Sequence, residues 1–211
     1  MEDLNQIDGY QWVDSELTGA HNYLAPRLKS ILLAEREASK GENRLFDLGC
    51  GNGAIAAVCS DLGFDVTGID PSREGIAQAQ SAFPHLKLER GSAYDDVVSR
   101  FGRFDYVVSL EVVEHVFAPR KYAATLYSLC KENGVAIVST PYHGYWKNMA
   151  LALAGNWDFH FTALWDCGHI KFWSIKTLSI LLQEAGFRDI VFYRVGRIPP
   201  LAKSMIAVAR R

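Results

Sequence analysis

A chain of 211 residues with 49% apolar and 22% charged side chains has the size and composition of one globular domain with a sizeable core. Its 22 Lys and Arg stand against 24 Asp and Glu, with no run of five basic residues. The basic footprint that a grip on nucleic acid needs is therefore missing, and nucleic acid is not expected as a partner.

The first residues, MEDLNQIDGYQW, lack the basic and apolar regions of a secretory signal. No apolar run approaches the roughly 20 residues that a membrane span needs. Cys50, Cys59, Cys130 and Cys167 form no CxxC pair, so reduced thiols and a cytoplasmic location are expected.

In chain order, LAPRLKSILLAEREASKGEN predicts a helix and a charged turn, the main part of an N-terminal cap over about residues 1–43. From Arg44 short β-like runs alternate with helical patterns. RLFDLGC is a strand, AIAAVCSDLG a helix stopping near Gly63, and DVTGID a second strand ending at Asp70. SREGIAQAQSAF is a helix with Ser72 as N-cap. LKLERGS is the third strand, YDDVVSRFG a short helix or turn, and FDYVVSLEV a buried central strand. APRKYAATLYSLCKENG predicts a helix with Pro119 in its first turn and Gly134 at its stop, and VAIVSTP is the fifth strand. After an insertion at about residues 142–173, SIKTLSILLQEAGF is a helix from Ser174 to Gly186. DIVFYRVGR and SMIAVARR are two strands joined by IPPLAK. The alternation predicts an α/β fold: a Rossmann-like, doubly wound, seven-stranded, mainly parallel sheet. The last two strands have no helix between them, which makes them an antiparallel pair.

The turn after the first strand reads DLGCGNG. Gly49, Gly51 and Ala54 satisfy the GxGxxA form of a dinucleotide site, whose acid about 20 residues on would be Asp70. Two features count against that reading. Asp47 is acidic where dinucleotide folds generally have an apolar residue, and Gly53 adds a third alternate glycine. A ligand with an ammonium suits Asp47 better than a pyrophosphate does, and Asp70 can accept two ribose hydroxyls. With these residues the chain resembles the class I S-adenosylmethionine-dependent methyltransferases over about residues 44–211. The resemblance implies that Asp47, Gly49, Cys50, Gly51, Gly53, Asp70 and Pro71 hold S-adenosylmethionine. It implies adenine contacts at Gly91, Ser92 and Ala93, with Asp95 as the acid in place of the one many relatives have there. It also places Leu110 and Glu111 beside the methionine part.

SLEVVEHV is similar to the E-x-x-E-H segment of the ubiquinone-biosynthesis O-methyltransferases, and HNYLAPRLKSI to their N-terminal His…Pro-x-Arg region. Arg27 would then pair with the cofactor carboxylate, or else be a surface residue. Glu111, Glu114 and His115 would bind a divalent ion, or Glu114 and His115 would cap and pack the next turn, which is the reading preferred, so no metal is assigned.

The insertion holds four of five tryptophans and three of six histidines, and a connection of that length is usually functional. Trp157, Phe159, Phe161 and Trp165 would wall an apolar or ring-shaped acceptor, and WKNMALALAG would form a short helix over it. Phe172 and Trp173 belong to the fold. Methyl transfer to a hydroxyl needs a base, for which His143 ranks first, His169 second, and His160 is also available. Tyr10, Trp12, His21 and Tyr23 would form a lid or an edge-packed helix.

The reading is methyl transfer to a small-molecule acceptor, most simply at oxygen of a phenol, quinol or sugar, since no D/N-P-P-Y segment follows strand four. The rivals are a non-catalytic cofactor-binding scaffold and an NAD-dependent enzyme.

Overall fold

A computed structural model describes residues 12, 14–39, 41–166 and 168–211. Tyr10 and Cys167 lie outside the described residues. The helices are α1 (His21–Ala38), α2 (Ala54–Asp61), α3 (Arg73–Ala82), α4 (Val97–Phe101), α5 (Pro119–Leu129), α6 (Tyr145–Leu153), α7 (Trp157–Phe161) and α8 (Ile175–Glu184). The strands are β1 (Arg44–Leu48), β2 (Asp65–Asp70), β3 (Lys87–Arg90), β4 (Phe104–Leu110), β5 (Cys130–Pro141), β6 (Arg188–Val195) and β7 (Ser204–Arg210).

The seven strands form one sheet in the order β3-β2-β1-β4-β5-β7-β6. β1 to β5 pair in parallel, and β7 runs antiparallel to both β5 and β6. The sheet is therefore mainly parallel with β7 reversed, as the missing crossover helix dictates.

Side chains alternate across the sheet because successive Cβ atoms point to opposite faces. Leu45, Val66, Tyr106, Val108, Ile137 and Ile206 face α1, α2 and α3. Phe46, Leu48, Val107, Val138 and Ala207 face α4, α5 and α8. Both layers are buried, so the strands read as nearly continuous apolar runs.

Most helix ends fall where their sequence places them. Ser72 Oγ accepts from the Gly75 N–H at 3.0 Å. Ser174 and Thr177 form a reciprocal capping box on α8. The predicted stop of α5 at Gly134 is too late: the helix ends at Leu129. Cys130 already pairs with Phe104, and residues 131–134 bulge out of the ladder before Val135 resumes opposite Tyr106. Lys131 holds that bulge by reaching Asp105 at 3.2 Å and Glu42 at 2.9 Å. Among the described residues no helix is long and apolar enough to cross a membrane.

One buried chain of hydrogen bonds ties the end of β1 to β4 and α5. Ser109 Oγ donates to the Leu48 carbonyl at 2.6 Å, and Tyr122 OH donates to Ser109 Oγ at 2.8 Å. Tyr122→Phe removes one such bond and should cost about 1 kcal/mol. Ser109→Ala orphans both the carbonyl and the phenol and should cost more, roughly 1–3 kcal/mol for each unpaired group. Urea unfolding of the two variants checks the order; equal losses would mean that the relay does not link the three elements.

Candidate functional site

β1 delivers Asp47 to the carboxyl edge and then turns sharply. Gly49 has φ 91° and Gly51 φ 51°, values that only glycine adopts cheaply. A Cβ on Gly49 would collide with Val112, and one on Gly51 with the Trp12 ring. Gly53 caps α2 from the left-handed region. The loop is tied to β2, since the Gly49 and Cys50 N–H groups donate to the Ile69 carbonyl at 2.8 and 3.0 Å. Asp70 accepts from Gly51 N–H at 2.9 Å and from Ser72 N–H at 2.8 Å, one on each oxygen. A carboxylate has about four lone-pair sites, so two remain for a ligand.

Above this loop lies a cavity of about 1420 Å³. Asp47, Gly49, Cys50, Asp70, Pro71, Leu110 and Glu111 are on its wall, whereas Gly51 and Gly53 shape the loop without reaching it. Asp47 is 2% exposed and its Oδ2 has no hydrogen-bond partner among the described residues. Burial, reinforced by Asp70, lifts its carboxyl to about 7.

The structure places four groups of the expected residues away from where the sequence reading puts them. Gly91, Ser92 and Ala93 are off the wall. Gly91 N–H is spent on the Asp70 carbonyl at 3.0 Å, and Asp95 folds back to accept from Ser92 N–H at 2.8 Å. Arg27 is exposed on α1, with its guanidinium over the Tyr193 ring at 4.3 Å, because Leu24, Leu28, Ile31 and Leu32 set the buried face. His143 is 8% exposed but off the wall. Its N–H donates to the Trp173 carbonyl at 3.0 Å, and its ring lies against Phe161, His160 and Phe172, behind α7. Burial holds that imidazole down at about 4.

The fourth concerns Glu111, which does not join Glu114 and His115. Its backbone takes φ 54°, a sparsely populated region for a non-glycine residue. Its carboxylate accepts from Ser139 Oγ at 2.7 Å and Ser204 Oγ at 3.2 Å, and burial lifts it to about 7. The residue that does join them is His169: ligand atoms of Glu114, His115 and His169 all lie within 4.8 Å of one another. Glu114 is 1% exposed and neither carboxylate oxygen has a hydrogen-bond partner among the described residues. Its carboxyl is pushed well above the usual range by burial and by Glu111. The loop returns to it because the Ile170 and Lys171 N–H groups both donate to the Glu114 carbonyl, at 2.9 and 3.0 Å. His115 Nδ1 sits 3.1 Å from the Gly168 carbonyl, the kind of contact that fixes a metal-ligating ring.

His160, Trp165 and His169 reach the wall from the insertion, and Trp12, His21 and Tyr23 from the N-terminal segment. That segment is strapped across the glycine loop. Asn52 Nδ2 donates to the Asp14 and Glu16 carbonyls at 2.8 and 2.9 Å, and Gln78 Nε2 to the Trp12 carbonyl at 2.7 Å. Asn52, which holds the strap, and Lys147, on the wall, are the residues of the candidate site that the sequence reading missed. An amide between two glycines of a turn is a legible signal; a lysine inside WKNMALALAG is not.

A methyltransferase-domain family model matches residues 20–191. The chain belongs to this methyltransferase family. This methyltransferase is 36% identical over 117 residues to a ubiquinone biosynthesis O-methyltransferase of Bradyrhizobium diazoefficiens, covering 54% of the chain and 46% of that protein. It is 31% identical over 151 residues to one of Cereibacter sphaeroides, covering 70% of the chain and 61% of that protein. The chain thus spans about half the length of the curated relatives it matches. Magnesium protoporphyrin IX methyltransferase of Synechocystis, solved with bound S-adenosylhomocysteine, shares the fold with a TM-score of 0.67 at 16% identity, over 98% of this chain and 91% of that one. The class I S-adenosylmethionine-dependent methyltransferase fold is thereby shown, and the dinucleotide reading of the glycine turn falls away.

The Asp47 carboxyl yields a pH-dependent test. Raised from 3.8 to about 7, it stays protonated in the folded chain at pH values where the unfolded chain releases the proton. Stability from this group therefore falls as pH rises from about 4 to about 7 and stays low above. Asp47→Asn should unfold like wild type near pH 4 and be more stable at pH 8 by roughly 2–4 kcal/mol. Urea titrations at both pH values check this, and a variant less stable at pH 8 would contradict it.

Proposed function

We propose that this chain transfers the methyl group of S-adenosylmethionine to a hydroxyl oxygen of a small-molecule acceptor. The observation that carries the reading is one continuous cavity, which joins Asp47 and Asp70 on the glycine loop to His169 and Trp165 on the insertion. Asp70 would accept the ribose hydroxyls. The unpartnered Asp47 oxygen would receive the ammonium, whose charge would draw the carboxyl back toward its ordinary range. Gly49 and Cys50 would pass backbone along the methionine part, with Leu110 and Glu111 beside it.

An acceptor oxygen attacks the methyl carbon, the carbon–sulfur bond breaks, and its electron pair stays on sulfur, leaving S-adenosylhomocysteine and an ether. Collinear positioning supplies most of the acceleration. The hydroxyl proton goes to His169, which takes over from His143 as the first choice of base because it alone of the two is on the wall. Glu114 stands 4.0 Å behind it and would face the imidazolium. Ala150 and Leu151 of α6, Phe159 of α7 and Trp165 beyond it give the cavity an apolar side that favours a phenol or quinol over a sugar, and the curated relatives named above are O-methyltransferases.

A second reading rests on the unpartnered Glu114 oxygens. Glu114, His115 and His169 fit a divalent ion, and two imidazoles with one carboxylate suit a first-row transition metal better than magnesium or calcium. Such an ion, when bound, would lower the pKa of an acceptor hydroxyl.

S-adenosylhomocysteine should raise the melting midpoint and NAD should not, with a gain of about 2.7 kcal/mol at 100 times the dissociation constant. With catechol as acceptor, release of S-adenosylhomocysteine from S-adenosylmethionine tests turnover. Absence of turnover across phenol, quinol and sugar acceptors would favour a cofactor-binding scaffold. His169→Gln should lower kcat by roughly 100-fold or more while the cofactor shift persists, and His143→Gln should keep kcat within a few fold. Loss of turnover on EDTA dialysis, restored by manganese or zinc, would assign His169 to the metal; no effect of EDTA would leave it as the base.

A further inference from the structure

The charged side chains on the cavity wall divide by sign along the sheet edge. Asp47, Asp70 and Glu111 stand at or just after the ends of β1, β2 and β4. Lys147 comes from α6, which follows β5, and Arg197 and Lys203 come from the segment that joins β6 to β7. The strand order keeps β2 and β1 on one side of β5 and β7 and β6 on the other, so Asp47 and Asp70 lie away from the bases, while Glu111, bonded to Ser139 of β5 and Ser204 of β7, stands between them. None of the three bases has an ion-pair partner among the described residues.

Lys147 is the odd member. It is 7% exposed and is the one buried residue of α6, a helix otherwise rich in apolar side chains. Its Nζ donates to the Lys203 carbonyl at 3.2 Å, which uses one of three N–H bonds. Burial and the Arg197 charge hold it down at about 8, with Glu111 the one acid that pulls the other way. Arg197 and Lys203 are exposed at the rim. A membrane headgroup or a nucleic-acid backbone would meet those two but not a lysine buried in the cavity; a small molecule inside the cavity reaches all three.

We propose that the end of the cavity around Lys147, Arg197 and Lys203 is a subsite for an anionic group, a carboxylate or phosphate, carried by the methyl acceptor. This rests on the methyl-transfer reading only in taking the cavity as the acceptor site. The acidic end receives the cationic part of the cofactor, and the basic end selects an acceptor of opposite charge. Charge-assisted bonds to two or three such donors favour the anion strongly over a neutral analogue.

The test uses two probes with the same ring, 3,4-dihydroxybenzoate and 3,4-dihydroxybenzyl alcohol, titrated calorimetrically into the full chain saturated with S-adenosylhomocysteine. No turnover is involved, so the result is independent of whether methyl transfer occurs. The benzoate should bind at least tenfold tighter than the alcohol. Lys147→Gln and, separately, Arg197→Gln should each reduce that ratio several-fold; the exposed Arg197 supplies the test if the buried variant does not fold. Equal binding, tighter binding of the alcohol, failure of both probes to bind, or a ratio unchanged in Arg197→Gln would overturn the proposal. If the ratio holds but neither probe is methylated, the subsite stands and the hydroxyl-transfer reading fails.

Discussion

Asp47 is buried at the end of β1 with an oxygen that no group among the described residues satisfies, and the cost of keeping it there sets the terms for the whole cavity. An isolated ionised carboxylate in an apolar interior is so unfavourable that it takes up a proton instead. The same holds for Glu114, and burial weighs on Glu111 despite its two serines. Parallel strands make this arrangement possible, because β1, β2 and β4 all end on one edge and deliver their last side chains to one place. The carboxyls are therefore a reservoir of unspent binding energy. A ligand that brings positive charge or donors to that edge would recover part of that cost.

Local chemistry made most of the fold readable. Strand runs, Ser72, Ser174 and the glycine turn are decided within a few residues of themselves, and neighbours in sequence suffice to infer them. The reversed β7 was also readable, since an absent crossover leaves no other way to join the strands. Cys130–Gly134 was misread because helix-forming residues there are overridden by a pairing with Phe104 and by the Lys131 ion pairs, both remote in sequence.

The site was legible where it rests on strand ends and obscure where it rests on rotation. Asp47, Gly49, Cys50, Asp70, Pro71, Leu110 and Glu111 all reach the wall because a strand end has only one edge to point at. His143 also follows a strand, but the bridge between Tyr142 and Trp173 carries it behind α7. Arg27 could have been placed from helix phase alone, since Leu24, Leu28 and Ile31 leave it on the outer face. His169 could not have been joined to Glu114, because their meeting depends on a loop returning across more than fifty residues to one carbonyl.

The strap over the glycine loop joins parts of the chain that are far apart in sequence. Asn52 sits inside the turn and holds Asp14 and Glu16, while Gln78 on α3 holds Trp12. These bonds hold the segment over Gly49 and Cys50. At the opposite end, Arg197 and Lys203 stand exposed and no comparable latch crosses the opening among the described residues. The two ends of the cavity thus differ in how they are bounded: one is bridged by side chains remote in sequence, and the other is rimmed by exposed cations.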